Sequence, residues 1–263
     1  QGLTEDEVTI IWTTNKPAVS WVELAPDDGT HFYHEARPHF FAENYGFKKV
    51  DSGHMVTLKN LTPNTTYRYR VYSHEVTDHQ AYYVAYGRTV ASDVYGQKPL
   101  TFTTNNPRKE EVSFLMINDI HGDNALMDSL LTGVQWDKTD LVFFNGDMCT
   151  DMRSEKKLFD DFMDTAVKTF AKETPFYYAR GNHETRGNFA STYPRYFPTP
   201  TGQLYYTFRQ GPVFFIVLDC GEDKPDSDIE YHGLAAFDNY RTEQAQWLEK
   251  TIQSDACKQA PFK

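Results

Sequence analysis

Val112-Ser-Phe-Leu-Met-Ile117 is a short apolar run that passes directly into the polar cluster Asn118-Asp119-Ile120-His121-Gly122-Asp123. The same kind of junction recurs downstream. Leu141-Val-Phe-Phe144 leads into Asn145-Gly146-Asp147, and Pro175-Phe-Tyr-Tyr-Ala179 into Arg180-Gly181-Asn182-His183-Glu184. Short, nearly continuous apolar runs bounded by turn formers suit strands buried on both faces. Helical spacing lies between them: Leu126, Leu130, Leu131 and Val134 share one face, as do Phe159, Phe162, Met163, Ala166, Val167 and Phe170. Strands alternating with helices predict a layered α/β domain over residues 112–263. Val213-Phe-Phe-Ile-Val-Leu218 reads as a further buried strand and Thr242 to Gln253 as a last helix. Asp123, just ahead of the first helical face, reads as its N-cap.

Upstream the pattern is different. Val8-Thr-Ile-Ile-Trp-Thr-Thr14 alternates as a half-buried strand does, Val19-Ser-Trp-Val-Glu-Leu24 reads as the next strand, and Pro26-Asp-Asp-Gly29 as a turn. His54 to Leu61 and Tyr67-Arg-Tyr-Arg-Val-Tyr72 continue the series, which Leu100-Thr-Phe-Thr-Thr104 closes. No helical period appears, so residues 1–104 are expected to form an all-β sandwich, joined by the polar linker 105–111 to the second domain. His31, His34 and His39 lie in an aromatic-rich tract that reads as surface loop. Asn60-Leu-Thr62 and Asn64-Thr-Thr66 fit the glycosylation pattern.

Composition narrows the function classes. With 17 Tyr, 19 Phe and 4 Trp in 263 residues the chain can build real cores. A formal net charge of -11 offers no field for a nucleic acid, so any phosphate would have to be held by metal ions or local donors. Cys149, Cys220 and Cys257 are too scattered for a disulfide framework or a structural zinc site. No apolar run reaches the roughly 18 residues of a membrane span.

Ends of strands are where open α/β sheets collect ligands, so the clusters after the apolar runs can converge on one site. Their residue types suit hydrolysis of a phosphate ester, which needs activated water, charge neutralisation and help for the leaving group. Two metal ions about 3.5 to 4 Å apart supply most of this. Asp119 and His121 would hold one ion, Asp147 would bridge both, and the Asn182 amide oxygen would hold the second, with a bridging hydroxide as nucleophile. His183 would donate a proton or a hydrogen bond to the phosphate, so Asn182 and His183 are also the expected substrate contacts. Glu184 and Arg180 read as residues that orient the loop, and Cys149 as a buried, inert thiol. The acidic run Glu222 to Glu230 reads either as a solvated loop or as a border of the site.

These segments resemble the DxH, GDxx and GNH(D/E) motifs of the calcineurin-like metallophosphoesterase superfamily, in that order. Leu61-Thr-Pro-Asn-Thr-Thr-Tyr67 is similar to the corner of fibronectin type III-like sandwiches, where a Tyr hydroxyl bonds backbone a few residues upstream. A sandwich of that kind ahead of such a catalytic domain resembles purple acid phosphatases. The resemblance implies a layered αββα domain and two ions, manganese, iron or zinc. Thr150 stands where purple enzymes have Tyr, and His121 where they have no His, so no iron-tyrosinate is expected. It also implies further His ligands beyond residue 263, so the chain is expected to be C-terminally incomplete, inactive alone, and to have a sheet face covered by the missing segment or another chain. The expected substrate is a small phosphorylated molecule, and the expected location is outside the cytoplasm. Competing expectations are a nucleotide phosphohydrolase and a non-catalytic binding or scaffold protein on the same fold.

Overall fold

β-Branched and aromatic residues without helical spacing favour sheet, and the first part of the chain is all strand. The computed structural model describes residues 1–92 and 96–263, and the chain divides into Gln1–Pro107 and Arg108–Lys263. In the first unit β1 (Val8–Pro26) is followed by β2 (His39–Phe41), the short hairpin β3 (Glu43–Asn44) and β4 (Phe47–Lys48), β5 (Val50–Leu58), β6 (Thr66–Gln80), β7 (Tyr83–Ala91) and β8 (Leu100–Thr103). The two strands expected over Val8–Thr14 and Val19–Leu24 are one strand of 19 residues. Its register against β5 shifts between Thr13 and Ala18, around Pro17, which has no N–H to give a ladder. Beyond that irregularity β1 pairs with β6 from Ala18↔Glu75 to Pro26↔Tyr67. One strand thereby serves three partners, β2, β5 and β6, and Val22, Val56 and Leu58 are buried in the core of this unit.

The corner is built as the resemblance implies. The Tyr67 hydroxyl accepts from the Thr62 N–H at 2.9 Å, and the Tyr67 ring stacks on Phe102. Asn60 and Asn64 take left-handed φ of 59° and 51° on either side. The three histidines have separate partners: His39 stacks on Trp21 with Nε2 3.0 Å from Glu23, His34 Nδ1 faces Arg37, and His31 Nδ1 accepts from the Tyr33 N–H.

The second unit runs β9 (Phe114–Ile117), α1 (Asn124–Leu131), β10 (Leu141–Asn145), α2 (Glu155–Leu158), a π-helical turn (Phe159–Met163), α3 (Asp164–Thr169), β11 (Phe176–Ala179), α4 (Tyr193–Tyr196), β12 (Tyr206–Gln210), β13 (Val213–Val217), α5 (Phe237–Gln253) and α6 (Asp255–Gln259). β9, β10 and β11 form a parallel sheet in the order β11-β10-β9. Alternation along β10 supplies both faces. Val142 and Phe144 enter the core that holds Met127, Phe162 and Phe170, whereas Leu141 and Phe143 meet Tyr206, Phe208 and Val217 of the β12-β13 hairpin. On the far side of that hairpin Phe214 packs with Cys257 and Ala260. The layers are therefore helix, sheet, sheet, helix, and burial of each large apolar side chain contributes roughly 1.5–3 kcal/mol.

Several expectations need correction here. The buried stripe of α1 is Met127 and Leu131, while Leu126 and Leu130 are exposed. Both stripes are apolar, and the helix ends at Leu131, before Val134 can extend the expected face. Val213–Leu218 does not join the parallel sheet: it pairs antiparallel with Tyr206–Gln210, a strand the reading missed. The turn Gly211-Pro212 between two runs was the available signal, with Gly211 at a φ of 52°. Helix α5 begins five residues earlier than expected because the Asp226 carboxylate accepts from the N–H groups of Phe237 (2.8 Å) and Asp238 (3.1 Å). Asp123 caps α1 through the Leu126 N–H at 3.0 Å.

Replacing Tyr67 by Phe keeps the stack on Phe102 but removes the acceptor of the Thr62 N–H. The expected loss is about 1 kcal/mol, read as a lower urea midpoint at unchanged slope; an unchanged midpoint rules out a stabilising corner.

Candidate metal centre

The loops after β9, β10 and β11 meet because their backbones hydrogen-bond to one another. Asp119 N–H donates to the Gly146 carbonyl (3.1 Å), His121 N–H to that of Asp147 (3.0 Å) and Gly122 N–H to that of Met148 (3.0 Å). This pairing forces unusual backbone. Asp119, His121 and Asp147 have φ of 56°, 51° and 55°, a region that costs a non-glycine residue of order 1–3 kcal/mol and persists only where the surroundings over-determine it.

Glu184 supplies that over-determination. It is fully buried, and its carboxylate accepts from the N–H groups of Asp147 (2.9 Å), Met148 (2.8 Å), Cys149 (3.2 Å) and Gly181 (2.8 Å) and from the Tyr178 hydroxyl (2.7 Å). Close approach of the two glycine loops completes the arrangement. A Cβ on Gly181 would lie 2.2 Å from an Asp147 carboxylate oxygen and one on Gly146 2.8 Å from Gly181 Cα, so neither position has room for a side chain. Burial, with the Glu184 charge second, pushes the Cys149 thiol far up, so it is inert at neutral pH.

Ligand atoms of His121, Asp147 and His183 lie within 4.8 Å of one another, and this is the one such cluster among the described residues. Two imidazoles and a carboxylate suit a first-row divalent ion, so the residues present fit one metal. Asp119, an expected ligand, stands outside this set with Oδ1 3.7 Å from His121 Nε2. His183, expected only as a proton or hydrogen-bond donor, stands within it. Its Nδ1 lies 2.7 Å from the Thr150 carbonyl, which can only accept, so Nδ1 carries the proton and Nε2 presents its lone pair. Rings of His121 and His183 meet edge to face at 4.5 Å.

The Asn182 amide, expected to share an ion with Asp147, has one terminal atom 3.0 and 3.1 Å from the Asp147 carboxylate oxygens and the other 2.7 Å from Arg186 Nη2. Arg186 is a residue the sequence reading missed. Its Nε and Nη2 each lie 3.0 Å from one oxygen of Glu222, and its Nη1 lies 3.1 Å from His183 Nε2. Burial pushes the Glu222 carboxyl up, but the Arg186 guanidinium and the Thr185 hydroxyl outweigh it and hold the group below the usual carboxylate range. The start of the acidic run therefore borders the site. Arg180 reaches sideways, 2.8 Å from the fully buried Asp219, which also accepts from Tyr240 at 3.0 Å.

Residues 112–260 match the family described as Calcineurin-like phosphoesterase, and residues 1–98 match Purple acid Phosphatase, N-terminal domain. The chain belongs to the calcineurin-like phosphoesterases. It is 27% identical to a "Probable inactive purple acid phosphatase 1" of Arabidopsis thaliana, over 90% of this chain and 44% of that protein. The purple acid phosphatase from yellow lupin (Lupinus luteus) seeds has the same fold, with a TM-score of 0.58 at 18% identity, over 89% of this chain and 46% of its own. The chain thus spans less than half the length of these two relatives.

Glu184→Gln would turn an amide N–H₂ toward donors that now share one anion. The calcineurin-like domain is expected to lose about 3 kcal/mol in urea unfolding and its Mn2+ binding with it. Wild-type stability in the variant would refute the organising role of this carboxylate.

Proposed function

We propose that the protein containing this chain hydrolyses phosphate esters of small molecules at a metal centre. One observation carries the reading: His121, Asp147 and His183 bring their ligand atoms within 4.8 Å of one another at the ends of strands in a calcineurin-like domain. Asp119 is close enough, 3.7 Å from His121, to add a carboxylate. An ion held there supplies Lewis acidity toward a phosphoryl oxygen and toward water. The chain's own residues hold and orient. Asp147 is held by the His183 N–H at 3.1 Å, and His183 is fixed in one tautomer by Thr150. His121 is anchored through its backbone: its N–H donates to Asp147 and its carbonyl accepts from the Thr150 hydroxyl at 3.1 Å.

Manganese, iron or zinc suits nitrogen and oxygen donors of this kind. A second ion shared by Asp147 and Asn182 would need further ligands. Exposed Phe114 and Met116 on the edge strand β9 support the reading that a further segment or another chain covers that side in the longer protein. Export to a periplasmic, surface or extracellular location rests on the purple acid phosphatase-like architecture; no helix among the described residues is long and apolar enough to cross a membrane.

The test is hydrolysis of p-nitrophenyl phosphate, bis-p-nitrophenyl phosphate and nucleotides by the full-length protein with added Mn2+. Asp147→Asn is expected to lower kcat/KM by about 10²-fold or more, and chelation to abolish turnover. Activity confined to nucleotides would favour the phosphohydrolase reading. Metal binding without turnover of any ester, or turnover unchanged in the variant, would leave the non-catalytic scaffold.

A further inference from the structure

We infer that Gly187 is a positioning residue of this centre: it lets the Met152 backbone dock on the 186–189 turn, and that contact sets which ring nitrogen of His183 keeps its lone pair. This rests on the metal-centre reading above and adds a residue that lies outside the recognised motifs.

The loops after β10 and β11 are joined at successive levels. Nearest the strands, the Glu184 carboxylate accepts from the Asp147, Met148 and Cys149 N–H groups. Next, His183 Nδ1 lies 2.7 Å from the Thr150 carbonyl. Beyond it, the Met152 N–H donates to the Arg186 carbonyl at 2.7 Å, and the Met152 carbonyl accepts from the Phe189 N–H at 3.0 Å. Thr150 is therefore bracketed, with Cys149 before it and Met152 after it each tied to the loop that carries His183. Turning the Thr150 carbonyl away from Nδ1 strains one tie or the other. The outer tie depends on a glycine. Gly187 has a φ of 103°, and a Cβ there would lie 2.2 Å from the Met152 carbonyl oxygen, 2.7 Å from its carbon and 3.2 Å from the Arg153 nitrogen. All three are backbone atoms, so nothing can rotate aside. The Met152 side chain is buried in the core of this unit, which leaves the segment no room to retreat inward.

The tautomer of His183 carries this contact into the chemistry. A carbonyl only accepts, so Nδ1 holds the proton. Arg186 Nη1, which only donates, lies 3.1 Å from Nε2 and 3.4 Å from Nδ1, and the nearer nitrogen is the one with a lone pair to receive it. Both neighbours specify the same form, in which the Nε2 lone pair is the one a metal can use. An alanine at 187 pushes the 152 and 187 backbones apart and draws the Thr150 carbonyl off Nδ1. The proton is then free to sit on either nitrogen, and an Nε2 that carries it has nothing to offer an ion.

The experiment uses the full-length protein, so that ligands from every part of the chain are present in all forms compared. Nitrogen-15 spectra of the metal-free, histidine-labelled protein at mildly alkaline pH report the His183 tautomer, its signals assigned by their loss in H183N. Mn2+ affinity is measured by calorimetry on the same samples, for wild type, G187A, F189P and G202A. F189P removes the N–H that the Met152 carbonyl accepts while leaving Gly187 in place. Gly202 also has left-handed backbone, at a φ of 75°, but open space where a Cβ would go, so G202A carries the strain without the clash. Expected are the Nδ1–H form alone in wild type and G202A, a mixture of tautomers in G187A and F189P, and Mn2+ affinity weakened about tenfold or more in those two variants only. Wild-type His183 protonated at Nε2 would overturn the inference whatever the variants do. An unchanged tautomer in G187A or F189P, whichever folds, overturns it too, as does an equal loss of Mn2+ in G202A, which would trace the effect to backbone strain in general. Wild-type protein that takes up no Mn2+ would overturn the metal-centre reading, whereas the tautomer shift in the variants would still uphold the positioning of His183 by Gly187.

Discussion

Glu184 is a charge placed where no water reaches it, and the site is arranged around satisfying it. A buried carboxylate without donors would cost several kcal/mol, and here the Asp147, Met148, Cys149 and Gly181 amides and the Tyr178 hydroxyl converge on its oxygens. Successive backbone N–H groups from 147 to 149 form the kind of concave nest that binds an anion, except that the anion is a side chain from the next strand end. Such a nest requires Asp147 to leave the right-handed region, and the hydrogen bonds offset that strain. The price of orienting Asp147 is thus met inside the protein, before any ligand arrives.

Charge pairing around this nest leaves a specific remainder. Arg180 pairs with Asp219 and Arg186 with Glu222, so both buried carboxylates from the β13 side have a cation of their own. The Asp147 carboxylate accepts from the neutral His183 N–H. Asp119 faces water and its neighbour Asn118. In a chain of net charge -11, the exposed Asp119 and the half-buried Asp147 beside two imidazoles attract cations and repel bare anions.

What was legible in the sequence was what is local. Asp119, His121, Asp147, Asn182 and His183 each follow directly on an apolar run, so a strand and its loop place them without long-range information. The β1 irregularity at Pro17 and the burial of Met127 in place of Leu126 and Leu130 were not legible, because two apolar stripes one residue apart have the same period and tertiary packing chooses between them. Arg186, and its pairing with Glu222, escaped for another reason. They stand 36 residues apart, belong to none of the recognised motifs, and become partners only when the β12-β13 hairpin folds back beside β11.

The stretch after β13 then has a definite mechanical meaning. Asp219 holds Arg180 and Tyr240, Glu222 holds Arg186, and Asp226 caps α5. Asp219 and two carboxylates of the acidic run that follows it each terminate on a separate element: the base of the 181–184 loop, the cation beside the metal cluster, and the last long helix. Gln244 closes the frame from α5, accepting from the Asp219 N–H and donating to its carbonyl, both at 2.7 Å. Helix α5 is therefore tied to the same backbone segment that fixes Arg186. Through Gln244 and Tyr240 on Asp219, and through Phe237 beside the Arg180 guanidinium, a helix that contributes no residue to the ion-binding cluster is packed against the base of the loop that carries His183.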